Sequence, residues 1–156
     1  MGIEALAPYH DWFLLIHILA AIVALGANVT YAFWLSIAER DRGHLDFAIG
    51  GISRIDRVLS NPAYAVLLLS GILLMLAGEY TLAHPWLVVA IVLYFVSGIL
   101  SVTQFTPAIR AQLVAGAEGP GSAAYLAAAR RSRLMAWLGV TVVVVIVFLM
   151  VVKPTF

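Results

Sequence analysis

Four long apolar stretches, separated by more polar segments, dominate the pattern of this sequence. They cover about residues 12–36, 62–78, 86–107 and 134–152. A helix needs about 20 mostly apolar residues to cross the roughly 30 Å hydrocarbon core of a bilayer. The short alternating segments typical of barrel strands are not seen. The pattern therefore predicts an all-α, polytopic membrane protein, in which residues 1–156 form a single four-transmembrane-helix bundle.

The amino-acid composition supports a membrane location. Hydrophobic residues make up 63% of the chain and charged residues 11%, against roughly 45–50% and about 25% in soluble domains. A net charge of +1 argues against a nucleic-acid partner and leaves the lipid bilayer as the expected one. The chain has no cysteine, which excludes disulfides, thiolate metal sites and iron–sulfur clusters. The first eleven residues contain Glu4 and Asp11 but no Lys or Arg, so we expect the first span to remain a membrane helix and not to be a cleaved signal.

The distribution of basic residues predicts the orientation. Eight of the nine lie between spans one and two or between spans three and four: Arg40, Arg42, Arg54, Arg57, Arg110, Arg130, Arg131 and Arg133. Segments rich in Lys and Arg stay cytoplasmic. We therefore expect both termini and the 79–85 turn to lie outside a bacterial inner membrane. The cluster at Arg130–Arg133 is interpreted as a topology signal that contacts anionic lipid head groups.

Both longer inner segments are predicted to contain helix. Apolar residues recur at three- and four-residue steps in the first, as on one face of an amphipathic helix: Leu45, Ala48, Ile49, Ile52, Ile55 and Leu59. Asn61 and Pro62 then suggest an N-cap and the first position of the second span. Asp56, between Arg54 and Arg57, is expected to form a local ion pair. In the second segment, residues 116–122 predict a break, after which Ser122 caps a helix that continues into the fourth span.

His17 is the foremost candidate for chemistry, because an ionisable residue within a span is costly. His10, Asn28 and Tyr31 lie on or near the same helix face, together with small alanines. One interpretation is a neutral histidine that hydrogen-bonds to a neighbouring helix. The other is an axial ligand of haem b or of a metal, with the small residues leaving room for a flat macrocycle. In that case His17, His10, Asn28 and Tyr31 are the candidate cofactor-binding residues.

A metal site at the outer end is a related possibility. His10, His17 and His84 fall there in the predicted topology, together with Asp11 and Glu79. Imidazoles with a carboxylate suit copper, zinc or iron. The spacing matches no recognised metal motif, and a histidine at a membrane boundary is also an ordinary surface residue. His44, on the inner side, is expected to be solvated.

The third and fourth spans differ in character. Tyr94, Ser97, Ser101 and Gln104 share one face of the third, either as interhelical hydrogen-bond partners or as the lining of a pocket or pathway. The outer half of the fourth is uniformly apolar. It is expected at the periphery, or in contact with another membrane protein subunit or a second copy of the chain.

The segments HILAAIVALGANVTYAFWLSIAERD, RIDRVLSNPAYAVLLLSGILLML, HPWLVVAIVLYF and ARRSRLMAWL resemble a bacterial family of predicted integral membrane proteins of unknown function, of the DUF2269 type. This resemblance covers nearly the whole chain and implies four spans. More distantly, the chain is similar to CopD-type copper-resistance proteins and HemJ-type protoporphyrinogen oxidases. The latter resemblance implies a haem-ligand role for His17. The functional lysine of HemJ-type proteins has no counterpart, since Lys153 is the only lysine.

Two functions therefore remain open. The first is a membrane protein that binds b-type haem or a metal through His17, for electron transfer or cofactor handling. The alternative is a non-catalytic accessory or scaffold subunit that packs against a larger membrane complex. No recognised catalytic motif is present, so no catalytic residue is predicted.

Overall fold

The computed structural model describes residues 2–40, 44–78, 80–119 and 121–155, and these contain six α-helices and no strand. The helices are α1 (His10–Arg40), α2 (Leu45–Ile55), α3 (Asn61–Leu76), α4 (Pro85–Leu100), α5 (Thr106–Glu118) and α6 (Ala123–Val152). A 3-10 helix (Glu4–Tyr9) leads into α1. Two π-helical segments, Asp56–Ser60 and Ser101–Phe105, join α2 to α3 and α4 to α5.

These elements form four helical rods that are long and apolar enough to cross a membrane: Glu4–Ile37, Leu45–Leu76, Pro85–Gly116 and Ala123–Val152. The predicted four-helix membrane fold is thus confirmed. The second, third and fourth rods are longer than the apolar stretches because the helices predicted between the spans are continuous with them, and the first rod includes the 3-10 helix. A rod of 32 residues is about 48 Å long at 1.5 Å per residue, so it extends beyond the hydrocarbon core.

The prediction that Asn61 is an N-cap is wrong. Asn61 has helical backbone angles (φ −61°, ψ −45°), and its N–H donates to the carbonyl of Asp56, five residues earlier. Thr106 donates to Ser101 in the same way. Each of these residues directly precedes a proline, Pro62 or Pro107. Since a proline ring clashes with the carbonyl four residues before it, the wider π turn lets the helix continue through the proline.

The amphipathic helix in the first inner segment is confirmed except at its last position. Leu45, Ala48, Ile49 and Ile52 are buried, and Ile55 packs against the same core. Leu59 is 49% exposed, whereas Ser60 is fully buried. A π turn contains more residues than an α turn, so the position that faces inward after Ile55 moves from Leu59 to Ser60.

The break in the second inner segment is confirmed but is shorter than predicted, because residues 116–118 belong to α5. The α5 helix ends at Glu118, and Gly119 has a positive φ of 125° that favours glycine. Ser122 caps α6, where its side-chain oxygen accepts a hydrogen bond from the Tyr125 N–H at 3.1 Å. The α6 helix then runs without interruption to Val152.

The helices pack unevenly and leave a cleft in the bundle. The α1 helix lies along α3 and also contacts α2 and α6, while α4 rests on α6. The larger apolar core is formed by α1, α2, α5 and α6 around Leu35, Ile49 and Ile109. A smaller core joins α4 to α6 around Trp86 and Leu149. Between these two packed regions, a cleft separates the α1/α3 pair from the α4/α6 pair.

Both terminal segments and the α3–α4 turn lie at one end of the bundle. The N–H of Ile3 donates to the carbonyl of Leu76 at 2.7 Å, and Lys153 Nζ donates to the Tyr80 hydroxyl at 2.8 Å. This arrangement agrees with four spans whose termini share a side. Which side is cytoplasmic stays a prediction, and Asp41, Arg42, Gly43 and Glu79 lie outside the described residues.

Candidate functional site

The cleft contains two adjoining cavities of different character. One, of about 430 Å³, has His17 in an otherwise apolar wall, and we call it the histidine cavity. The other, of about 540 Å³, is lined by Asp56, by several hydroxyl and amide side chains and mostly by apolar residues, and we call it the aspartate cavity. Both are bordered by Tyr64, Tyr94, Phe95, Ser97 and Val143. The two cavities are therefore parts of one elongated space.

The walls of the histidine cavity come from four helices. The α1 helix contributes His17, Ala21 and Ala24, and α3 contributes Gly71 opposite the imidazole. A β-carbon on Gly71 would lie 3.2 Å from His17 Cε1, so the ring fits closely against the glycine. The remaining walls are mainly aliphatic side chains and two thioethers: Leu87, Ala90, Ile91, Ile146, Met75 and Met150. The predicted stripe of small residues around His17 thus leaves real space beside the ring.

The hydrogen bonds around His17 assign its ring nitrogens. His17 Nδ1 lies 3.0 Å from Ser70 Oγ, and Ser70 Oγ donates to the carbonyl of Val66 at 2.7 Å. A hydroxyl has one proton, so Ser70 accepts from an Nδ1–H of the imidazole. In a neutral ring, Nε2 then carries the lone pair, which is the atom a metal would bind. The predicted interhelical hydrogen bond is present, and it leaves the ligand interpretation open.

Asn28 and Tyr31 lie on the α1 side of the aspartate cavity, away from His17. Asn28 Nδ2 donates to the Tyr64 hydroxyl at 2.5 Å and to the carbonyl of Ala24 at 2.8 Å. Tyr31 donates to Asp56 Oδ1 at 3.2 Å and lies 2.6 Å from Ser60 Oγ. Tyr31 is 14 residues from His17, about 21 Å along the helix axis. The single stripe predicted on the first helix therefore borders two cavities, with His17 at one and Asn28 and Tyr31 at the other.

The predicted ion pair of Asp56 with a neighbouring arginine is wrong. The expected ion pair with Arg54 or Arg57 is not formed: both arginines are exposed, and Asp56 instead accepts a hydrogen bond from Tyr31. The π segment that begins at Asp56 brings this carboxylate to the cavity. The neighbouring prolines in the sequence were the available signal, because each proline within a helix calls for a local change of pitch.

The polar stripe of the third span performs both of its predicted roles. Tyr94 donates to the carbonyl of Tyr64 at 2.9 Å, and Gln104 Oε1 accepts from Arg131 at 2.7 Å, so α3, α6 and this rod are linked by hydrogen bonds. Tyr94, Ser97 and Ser101 also line the aspartate cavity. Arg131 accordingly has a partner within the protein in addition to any lipid head group.

The outer histidines do not gather around one point. His10 Nδ1 lies 3.2 Å from Asp11 Oδ1, and the His10 ring packs near Tyr80. His84 is exposed, and its Nδ1 lies 3.0 Å from the Thr81 carbonyl in its own turn. His10 and His17 are two helical turns apart, about 10 Å. Within the described parts of the chain, no three His, Cys, Asp or Glu side chains are placed to hold a metal ion.

The comparisons with known proteins give a family and no function. No curated protein and no solved structure matches the chain, so the likeness to CopD-type and HemJ-type proteins stays a prediction. The sequence profile of one family, described as "Predicted integral membrane protein (DUF2269)", matches residues 12–154. That match spans all four helical rods. The chain therefore belongs to this family of predicted integral membrane proteins, and the resemblance seen in its helical segments is confirmed.

Proposed function

We propose that this multi-pass protein of the bacterial inner membrane binds haem b in the histidine cavity, with His17 as an axial ligand, for electron transfer or cofactor handling. The observation that carries the proposal is the state of the imidazole. Ser70 accepts the Nδ1 proton, so the lone pair is on Nε2, in a ring that borders an apolar cavity. A histidine ligand to a metal is typically oriented in this way by a hydrogen bond to its other nitrogen.

The cavity also suits a flat apolar group. Its volume of about 430 Å³ lies within the roughly 300–1,000 Å³ usual for ligand pockets. Met75 and Met150 border it, and a methionine thioether is a known second axial ligand of haem. Bound haem would supply one-electron chemistry. The chain itself would orient the ring through Ser70 and keep water from the iron with its aliphatic walls.

The test is a spectrum of the full chain. Protein produced with ample haem supply and purified in detergent is expected to show a Soret band and the reduced α and β bands of a b-type cytochrome. His17→Ala should abolish these bands. His44→Ala and His84→Ala are matched controls, because both residues are exposed and outside the histidine cavity. A colourless wild-type protein, or a His17→Ala variant that keeps the bands, would overturn the proposal.

The accessory-subunit function has its own supporting observation. Only 11% of the most apolar window of α6 is buried, the smallest share among the four rods, and Phe148 is exposed on it. Such a helix offers an apolar face to lipid or to another membrane protein. Crosslinking in native membranes, followed by purification, should then recover a second protein in a fixed ratio. Recovery of the chain alone would count against this function.

A further inference from the structure

A single carboxyl group without a basic neighbour on the wall distinguishes the aspartate cavity. Asp56 is the one acidic side chain on its wall, and no Lys, Arg or His of the described chain borders it. The carboxylate is half-buried and accepts a hydrogen bond from Tyr31, and Asn61 borders the same cavity. Both of these side chains are neutral. An ionised Asp56 would therefore leave a negative charge in the cavity for a cation to neutralise.

Aromatic rings share the wall of this cavity with Asp56. Tyr31, Tyr64, Tyr94, Phe95 and Phe105 all border the aspartate cavity. The Tyr31 and Phe105 rings stack with centroids 6.2 Å apart, and the Tyr64 and Tyr94 rings meet edge to face at 6.1 Å. Aromatic faces attract cations through their quadrupole, and cages of such rings are used to bind quaternary ammonium groups. A carboxylate that shares a cavity wall with aromatic rings therefore favours an alkylated ammonium group as its ligand.

The shape of the space adds a second requirement. From the shared wall at Tyr64, Tyr94 and Val143, the space continues into the apolar histidine cavity. Apart from His17, the side chains that enclose that end are aliphatic, aromatic or thioether groups, with the hydroxyls of Tyr64, Tyr94 and Ser97 at the junction. A ligand that fills both parts must have a cationic head and an apolar tail.

We propose that the cleft binds a lipophilic ammonium amphiphile, with its cationic head beside Asp56 and its apolar tail in the histidine cavity. The proposal is independent of haem binding, and its test uses haem-free protein, because the tail would fill the histidine cavity in which haem is proposed to bind. A zwitterionic lipid head is disfavoured, since its phosphate would find no basic partner on the wall of the aspartate cavity. The ligand class is thus a net cation, as in a long-chain amine or a quaternary ammonium compound.

The experiment measures binding of radiolabelled dodecyltrimethylammonium to the full chain in nanodiscs, with empty nanodiscs as the blank. Unlabelled competitors share the same tail and carry a trimethylammonium, phosphocholine or sulfate head. Saturable binding that only the trimethylammonium compound displaces is the expected result. Equal displacement by the phosphocholine compound would overturn the proposal and indicate a lipid-head site. Equal displacement by all three would overturn it in favour of simple partition of the tail.

Variants connect the result to the carboxylate. Asp56→Asn keeps the shape of the side chain and should weaken binding by about tenfold or more, as expected for loss of a desolvated charge partner. Asp56→Glu should restore most of the affinity and controls for misfolding. Asp46→Asn, an exposed acid in the first turn of α2, should bind as the wild type does. Unchanged binding by Asp56→Asn would sink the proposal, whereas His17→Ala should keep the dependence on the cationic head.

Discussion

At the scale of single residues, the contact between His17 and Ser70 is the most informative in the molecule. It joins α1 to α3 through a 3.0 Å hydrogen bond in a region that is otherwise apolar. A polar group in such surroundings needs a partner, because water is not there to solvate it. The same bond also orients the imidazole, so a structural role and a ligand role for His17 are compatible.

The strength of this contact can be measured without any cofactor. His17→Ala and Ser70→Ala should each lower the free energy of unfolding in mixed micelles by about 0.6–2 kcal/mol, as for other interhelical hydrogen bonds. In the double variant the losses should be less than additive, since both changes remove the same bond. Strictly additive losses would show that the two side chains are not coupled.

Gly71 makes a second residue-scale prediction possible. A β-carbon there would lie 3.2 Å from His17 Cε1, so Gly71→Ala should displace the ring and cost about 1–3 kcal/mol, as overpacking does. Gly26→Ala is the matched control, because a β-carbon at that exposed position on α1 meets no atom within 4 Å. It should leave stability equal or raise it by about 0.5–1 kcal/mol. Thermal unfolding of the two variants measures the difference. Equal changes in stability would contradict the close packing of the His17 ring against Gly71.

The face of α1 that points into the bundle could be predicted from the sequence. That its residues are divided between two cavities could not. A helical wheel gives the angle of His17, Asn28 and Tyr31 around the axis, and all three do point into the bundle. It gives no partner on another helix. Neither the Ser70 partner of His17 nor the Tyr31 partner of Asp56 follows from the sequence, because interhelical contacts depend on the relative depth of the rods.

At the scale of the elements, the two π segments are the feature that shapes the aspartate cavity. Each is followed by one residue, Asn61 or Thr106, and then by a proline. The first supplies Asp56 to the cavity wall, and the second supplies Ser101, Val102, Thr103 and Phe105. A π turn within an α-helix is often found at a functional site. Here the prolines give the local physical reason for it.

Pro62→Ala tests this link between proline and cavity. Alanine restores an N–H at position 62 that can donate to the carbonyl of Val58, so the π segment should relax to α-helix. Asp56 would then withdraw from Tyr31, and the infrared band of its carboxylate, identified by difference from Asp56→Asn, should shift as that hydrogen bond is lost. Pro85→Ala is the control, because Pro85 is in the first turn of α4, where no N–H is needed. An unchanged band in Pro62→Ala would contradict the account.

At the scale of the whole molecule, the four-span fold could be predicted because bilayer thickness and hydropathy constrain it strongly. The cleft could not, since it depends on how α4 packs. The α4 helix rests on α6 and is linked to α3 by the Tyr94–Tyr64 hydrogen bond. The cleft between the α1/α3 pair and the α4/α6 pair depends on the relative placement of these helices. It cannot be predicted from the sequence of any one of them.

Orientation is the remaining whole-molecule property, and single cysteines can determine it because the chain has none of its own. Ala83, Gly121 and Thr155 are exposed and lie in the α3–α4 turn, the α5–α6 turn and the C-terminal segment. The positive-inside bias predicts that Ala83→Cys and Thr155→Cys react with an impermeant maleimide in intact spheroplasts. Gly121→Cys should react only after lysis. The opposite labelling pattern would contradict the topology.

This orientation decides from which side each end of the cleft is reached. With the basic segments inside, Asp56 lies towards the cytoplasm between Arg54 and Arg57 in the chain, and His17 lies towards the outer surface. A cationic amphiphile would then place its head at the cytoplasmic end, where the membrane potential also favours positive charge. If the labelling were reversed, both sites would persist, but the head group would face outward and the potential would oppose its binding. Binding to the chain in vesicles should therefore rise as the side that holds Gly121 is made more negative, and an unchanged affinity would exclude this placement of the head group.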